Sequence, residues 1–158
     1  PMSSPPDEYM ERSRAYYAAQ GYERPYRWAS FESVPFARLA KPLSQATLTL
    51  ITTAMPIDDS RQGPKKVCSG SMQNPPEHLF NSDLAWDKQA THTEDLDSFF
   101  PVHHLQALVE EGRIGKLSSQ FHCAPTDYSQ RRTLEVDAPE ILRRCREDQV
   151  DVALLVPL

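Results

Sequence analysis

Residues 87–115, DKQATHTEDLDSFFPVHHLQALVEEGRIG, combine a polar segment with a well-marked helix. Pro101 suits the first turn of that helix, where a missing N–H needs no partner, and Gly112 supplies a stop. Between them, apolar residues recur on one face at helical spacing: Val102, Leu105, Leu108 and Val109. We therefore expect a polar loop held on a rigid amphipathic helix, an arrangement that presents functional groups in many folds. A surface loop that only caps its helix is the alternative.

The polar loop contains the candidate catalytic residues. We expect His92, with Asp95 or Asp97, to position or protonate an anionic substrate, because an imidazole gains and loses a proton near neutral pH and carboxylates serve as partners in acid–base catalysis. We expect Thr93, which follows His92 directly, to contact the substrate.

The first convincing strand is predicted at residues 46–53, ATLTLITT, because β-branched and apolar residues predominate there. In open α/β sheets, ligands bind outside the carboxyl ends of the strands. Thr52 and Thr53 at this end are therefore candidate substrate-binding residues. Hydroxyls that satisfy their own backbone are the alternative.

Three later segments extend the sheet and its helices. Residues 117–123, LSSQFHC, predict a second strand, on which His122 and Cys123 point to opposite faces. A D-x-x-E pattern at Asp137 predicts a capping box that opens a helix whose buried face includes Leu142 and Cys145. The apolar run 150–158, VDVALLVPL, predicts a buried parallel strand that closes a helix–strand unit.

The region before the sheet differs in character. A helix capped by Asp7 is predicted to end at Gly21, followed by an extended aromatic arm that contains Trp28. Such an arm is a common subunit contact, so we expect an oligomer. The expected domains are a helix and wrapping arm at 1–45 and an α/β domain at 46–158. The fold class is α/β, a small mainly parallel sheet flanked by helices, as in a flavodoxin-like or Rossmann-like half-domain.

Composition excludes several function classes. The formal net charge of −5, with no sustained basic stripe, argues against nucleic-acid binding, and no apolar run is long enough for a membrane span.

The three widely spaced cysteines favour a reducing cytoplasm over a disulfide framework. One of them, Cys68, lies beside two lysines in a predicted polar loop at 57–76, where it is a candidate thiolate. No Gly-rich phosphate loop is present, so nucleotide binding has no support from the sequence, and a serine hydrolase is excluded because the G-x-S-x-G elbow is missing. The cofactor is unknown.

A metal site of the His/carboxylate type is a further alternative, suited to zinc, iron or manganese. Its possible ligands are His78, His92, His103, His104 and His122, with Asp87, Asp95 and Asp97. However, paired histidines at helical i, i+4 spacing are missing, and the adjacent His103 and His104 point about 100° apart on a helix. Substrate binding without a metal is the preferred interpretation.

Three segments together resemble the N-terminal half of the selenoprotein B family of glycine, sarcosine, betaine and D-proline reductases. They are residues 14–54, from RAYYAAQGYERPYRWASF to LTLITTA; residues 86–115, which include FFPVHHLQALVEEGRIG; and residues 151–158, DVALLVPL. In that family the last strand runs into a redox motif whose selenocysteine or cysteine attacks the carbon next to a carboxylate and expels an amine. This sequence ends before that position. The resemblance therefore implies that another chain supplies the reactive thiol or selenol.

The expected function is that of a substrate-binding subunit in a reductase-like oxidoreductase complex that acts on a small amino or carboxylate compound. Its expected partner is a second subunit with a cysteine or selenocysteine redox motif. A non-catalytic partner-binding or regulatory subunit is the first alternative, and a His/Asp metalloenzyme is the second.

Overall fold

The computed structural model describes residues 9–22, 24, 30–35, 37–56, 66–80, 92–126 and 129–158. The chain divides into two compact units, Pro1–Phe36 and Ala37–Leu158. The first contains helix α1 (Tyr9–Ala19), none of whose side chains is buried. Gly21 has a φ of 88°, the left-handed conformation expected just after a helix. The predicted cap Asp7 and the Trp28 part of the aromatic arm lie outside the described residues.

The second unit is a mixed α/β fold with a five-stranded, mostly parallel sheet. Its strands are β1 (Thr47–Thr52), β2 (Cys68–Ser71), β3 (Lys116–Leu117), β4 (Gln120–Cys123) and β5 (Val152–Val156). Its helices are α2 (Val102–Glu110), α3 (Gln130–Arg132) and α4 (Ala138–Glu147), with short 3-10 turns at Leu43–Gln45 and Leu96–Ser98. The predicted α/β class, strand 46–53 and helix after Pro101 are confirmed. No helix in the described ranges is long and apolar enough to cross a membrane.

Strand β1 lies in the middle of the sheet. On one side it pairs in parallel with β5, from Leu48 opposite Val152 to Thr52 opposite Val156. On the other side β3 pairs with its beginning and β4 with its end, also in parallel. The predicted strand 117–123 is therefore interrupted at Ser118 and Ser119. Strand β2 pairs antiparallel with β4.

Two groups of buried side chains cover the two faces of the sheet. The larger includes Leu48, Leu50 and Phe121 of the sheet, with Phe99 and Phe100 before helix α2. The smaller consists of Val67, Ile141 and Cys145, against which Ile51, Ala124 and Val150 pack. Cys145 is thus a core residue, as predicted, whereas Leu142 is 49% exposed and does not belong to the buried face.

Part of the predicted loop at 57–76 is wrong, because Cys68–Ser71 forms the edge strand β2. The segment CSGS lacks the apolar alternation that is typical of strands. Its strand conformation is therefore stabilised by pairing with β4 and not by the strand propensity of its residues. Gly70 allows this pairing, because a Cβ at its position would lie 2.5 Å from ring atoms of Phe121. The buried ring of Phe121 occupies the space above this glycine.

The predicted capping box at Asp137 is also wrong. The chain is already helical there, and Asp137 makes no capping hydrogen bond. The helix begins earlier, where the Ser129 hydroxyl accepts a hydrogen bond from the Arg132 N–H at 3.3 Å. A π-helical segment, Thr133–Asp137, joins α3 to α4. Pro139 follows it, and the wider turn suits a residue that lacks an N–H to donate to the carbonyl four residues earlier.

Strand β5 is less buried than its apolar sequence predicts. Among the described residues it pairs only with β1, so it is an edge strand. Leu154 is 38% exposed and Leu155 is 66% exposed. The prediction of a fully buried strand is wrong, because an apolar run does not show whether a neighbouring strand covers it.

We predict that Gly70→Ala destabilises the second unit. The added methyl group must displace the ring of Phe121, which packs edge-on against Phe100 at a centroid distance of 4.7 Å. Overpacking of this kind costs about 1–3 kcal/mol, so the urea midpoint should fall. The control is the same change in a Phe121→Leu background, where the smaller side chain leaves room for the methyl group, so Gly70→Ala should lower the midpoint less there. Equal midpoints for Gly70→Ala and the native chain would contradict the packing described.

Candidate functional site

Three parallel strands finish at the same level, so their carboxyl ends lie together at one end of the sheet. Thr52 of β1 lies opposite Cys123 of β4 and Val156 of β5. Open α/β sheets bind ligands at this end, and two of the predicted substrate-binding residues, Thr52 and Thr53, lie there.

Both threonine hydroxyls have partners within the chain. The buried Thr52 Oγ1 accepts a hydrogen bond from the Ala54 N–H at 3.2 Å. The Thr53 hydroxyl accepts a hydrogen bond from the Leu158 N–H at 2.9 Å and donates one to the Leu158 carbonyl at 3.1 Å. The Thr53–Leu158 contacts hold the carboxyl ends of β1 and β5 together. Substrate binding by Thr52 and Thr53 stays a prediction, and it requires exchange of these bonds.

The loop that precedes α2 presents its candidate residues in different ways. His92 and Asp95 are exposed, and Thr93 is half-buried. The loop is held from its carboxyl side, because Leu96, Phe99 and Phe100 are buried in the larger core. Asp87, considered as a metal ligand, lies outside the described residues.

Asp97 is the carboxylate of this loop that hydrogen-bonds to helix α2. Its carboxylate accepts a hydrogen bond from the His103 Nδ1 at 2.7 Å and another from the His103 backbone N–H at 3.1 Å. The second contact satisfies one of the free N–H groups in the first turn of α2. Partial burial opposes ionisation, but the hydrogen bonds from His103 outweigh it and lower the pKa of Asp97. Asp97 thus anchors the start of helix α2.

The two sets of candidates lie against one hydrophobic core. Leu158, bonded to Thr53, and Leu96 belong to the same hydrophobic cluster. Within the ranges that the structure describes, no hydrogen bond or ion pair joins Thr52 or Thr53 to residues 92–97. Also within these ranges, no group of three or more His, Cys, Asp or Glu side chains could hold a metal ion.

Two clefts lie elsewhere on the second unit, and neither is lined by a predicted site residue. A polar cleft of about 600 Å³ lies at the start of β1, beside Lys41, Lys116 and Asp151. An apolar cleft of about 410 Å³ lies between α4 and the sheet, and its lining includes Leu142 and Leu155.

A partly buried chain of polar side chains on the α4 side was not predicted from the sequence. The His122 Nδ1 lies 2.8 Å from the Ser69 Oγ, which accepts a hydrogen bond from the Arg144 guanidinium at 2.7 Å. Arg144 also donates to the Glu140 carboxylate at 2.7 Å. His122 is 1% exposed, and burial, together with the charge of Arg144, lowers its pKa. The alternation of Phe121, His122 and Cys123 places His122 on this face, but no sequence pattern shows that Ser69 and Arg144 meet it.

The described cysteines are free thiols. Burial, and then the nearby Cys68, raise the pKa of Cys123 to about 12. Burial also raises the pKa of Cys145. Cys68 lies half-buried in β2 and not in a loop, and its thiol donates to the Lys66 carbonyl at 3.5 Å. Because the thiolate is the nucleophile in thiol chemistry, Cys123 and Cys145 are poor nucleophiles.

Comparisons with protein-family models, with curated proteins and with solved structures give no match to this chain.

We predict that Asp97→Ala lowers the free energy of unfolding by about 1 kcal/mol at pH 7, the usual cost of losing a helix cap. Since the folded-state pKa of Asp97 is lowered, its stabilising effect is complete above about pH 3.8 and is lost as the pH falls through the folded value. Urea unfolding at a series of pH values measures both effects. Asp95→Ala is the matched control and should leave stability unchanged, because the Asp95 side chain is exposed. A loss from Asp97→Ala that does not depend on pH would contradict the anchoring role.

Proposed function

We propose that this chain is the substrate-binding subunit of a reductase-like oxidoreductase complex, related to the glycine, betaine and D-proline reductases. Its substrate is a small amino or carboxylate compound. The reactive thiol or selenol belongs to a second polypeptide. The three free cysteines fit a reducing compartment, and we place the complex in the cytoplasm.

The observation that carries the proposal is the edge of β5, where no second strand pairs within the described ranges. This strand ends at the level where β1 and β4 end, and it exposes Leu154 and Leu155. Exposed apolar edge strands are sites at which another chain adds a strand. A partner bound to β5 would place its own residues beside the carboxyl ends of the parallel strands, where substrates bind in such sheets.

The environment of Cys123 and Cys145 fits a division of labour between two chains. The reaction requires a thiolate or selenolate near neutral pH, and the pKa of Cys123 is raised to about 12. Cys145 is likewise buried in the smaller core, with a raised pKa. A partner that brings an activated thiol or selenol supplies the group that these two residues do not.

Within this subunit, His92 and Asp95 are proposed to meet the substrate directly because they are exposed. Thr93 is proposed to contact it from the same loop. Asp97, Thr52 and Thr53 are proposed to act mainly by positioning, because they hold α2 and the ends of β1 and β5. We further propose that the fold is a flavodoxin-like or Rossmann-like half-domain, which the parallel order β4–β1–β5 supports.

A non-catalytic partner-binding subunit is the second candidate. The observation that favours it is that Thr52, Thr53 and Asp97 already have intramolecular hydrogen bonds. In that case the β5 edge would still bind a partner, but His92 and Asp95 would have no role in turnover.

We predict that the purified chain alone shows little reductive C–N cleavage of glycine, sarcosine, betaine or D-proline with dithiothreitol as reductant. Native mass spectrometry of the complex isolated from cells should show a second chain with a cysteine or selenocysteine redox motif, and adding that chain should restore activity.

A double variant, His92→Ala with Asp95→Ala, should then reduce turnover at least tenfold without changing assembly. Unchanged turnover would favour the non-catalytic candidate. Inactivity with every neighbouring gene product would contradict the enzymatic proposal.

We also predict that Leu155→Lys weakens binding of the partner about tenfold or more, because burying a leucine contributes about 1.5–3 kcal/mol. Titration by native mass spectrometry or calorimetry measures the change. Leu134→Lys is the matched control, since Leu134 is 63% exposed but lies on the π-helical segment. If both variants bind as tightly as the native chain, the partner does not use the β5 edge.

A further inference from the structure

Cys68 and Cys123 lie directly opposite each other on neighbouring antiparallel strands, β2 and β4. Opposed residues of an antiparallel pair project to the same face, and their Cα atoms lie about 4.5–5.5 Å apart. Disulfides span Cα separations of about 4.4–6.8 Å. The strand register therefore holds these two thiols at a distance that a disulfide can bridge.

Both side chains pack against the larger hydrophobic core, Cys123 fully buried and Cys68 partly buried. The two thiols also influence each other electrostatically, because Cys68 contributes to the raised pKa of Cys123. Cys145 packs in the smaller core on the other face of the sheet. Of the three cysteines in the chain, only Cys68 and Cys123 are opposed in this way.

We propose that Cys68 and Cys123 form a reversible cross-strand disulfide when the protein meets a small disulfide such as oxidised glutathione. The proposal concerns this pair only and is independent of the proposed function.

The reaction is thiol–disulfide exchange in two steps. Cys68 is the more accessible thiol. It loses its proton to solvent and attacks one glutathione sulfur, which forms a mixed disulfide and releases one glutathione thiolate that takes up a proton. Cys123 then loses its proton and attacks the Cys68 sulfur, which releases the second glutathione. The two protein thiols are oxidised, and one glutathione disulfide is reduced to two thiols.

The second step is expected to be slow. Burial raises the pKa of Cys123 to about 12, so its thiolate is rare at neutral pH. Strand β2 is an edge strand that pairs only with β4 among the described residues, so local opening of this pair can expose Cys123. Edge strands of few residues open more readily than central ones.

The disulfide would fasten β2 to β4 and close a long loop of chain. Residues 69–122 lie between the two cysteines, so the bond removes much freedom from the unfolded chain. For a unit of this size we expect the thermal midpoint to rise by about 5 °C or more on oxidation. Dithiothreitol should reverse the change.

The test uses the full chain, reduced with dithiothreitol, freed of it and incubated with oxidised glutathione under native conditions. Thiol titration should show a fall from three free thiols to one, and non-reducing peptide mapping should recover a peptide pair that joins Cys68 to Cys123. Cys145→Ser is the control and should oxidise in the same way. In Cys123→Ala, oxidation should stop at a stable mixed disulfide on Cys68.

Three results would overturn the proposal. They are a native chain that keeps all its thiols, a native chain that stops at glutathionylated Cys68, and peptide mapping that pairs either residue with Cys145 instead. Circular dichroism before and after oxidation shows that the sheet is intact. The measurement on the native chain decides the question even if a variant does not fold.

Discussion

Asp151 joins the start of β5 to the start of β1, and the register of the parallel sheet follows from that contact. Its carboxylate accepts a hydrogen bond from the Thr47 N–H at 2.7 Å, and its own N–H donates to the Thr47 carbonyl at 2.9 Å. Lys41 lies 2.7 Å from the same carboxylate. Hydrogen bonds from Lys41 and then from Thr47 lower the pKa of Asp151. At the far end, the Thr53 hydroxyl bonds to both backbone groups of Leu158. The strand pair is therefore fixed by side chains at both ends, which prevents a slip of one residue that would turn its apolar face outward.

The two faces of this sheet then take different chemistry. The face with Leu48, Leu50 and Phe121 is closed by aromatic residues and by α2, and it forms the main core. The opposite face contains His122, whose ring reaches α4 through Ser69 and Arg144. Hydrogen bonds from Arg143 and Arg144 lower the pKa of Glu140 to about 2, so this carboxylate stays ionised beside Arg144 at neutral pH. A polar chain of this kind fixes the position of α4 more specifically than apolar contacts alone.

The elements that the sequence predicts well are those in which local pattern and tertiary environment agree. Strand β1 is buried along most of its length, and helix α2 turns its periodic apolar face to the main core, as expected. Strand β2 could not be predicted, because its strand conformation depends on pairing with β4 and on the packing of the Phe121 ring over Gly70. Asp137 shows the reverse case: its spacing to Glu140 matches a capping box, yet the helix has already begun near Ser129. The sequence pattern also predicts the apolar character of β5. It does not predict that β5 is an edge strand of the described sheet, because this depends on what lies beside it.

The same reasoning applies to the candidate site. The sequence located a polar loop next to an amphipathic helix, and the structure shows that the loop is fixed by Leu96, Phe99 and the Asp97–His103 contact. It could not distinguish carboxylates that anchor the helix from those that face solvent, because Asp95 and Asp97 are the same residue type two positions apart. Asp97 reaches a backbone N–H six residues along the chain, so it belongs to the framework. His92 and Asp95 stand just before that anchor and are exposed. A substrate group bound by them would be held by a loop whose following segment is already rigid, and preorganised support of this kind is what precise positioning requires.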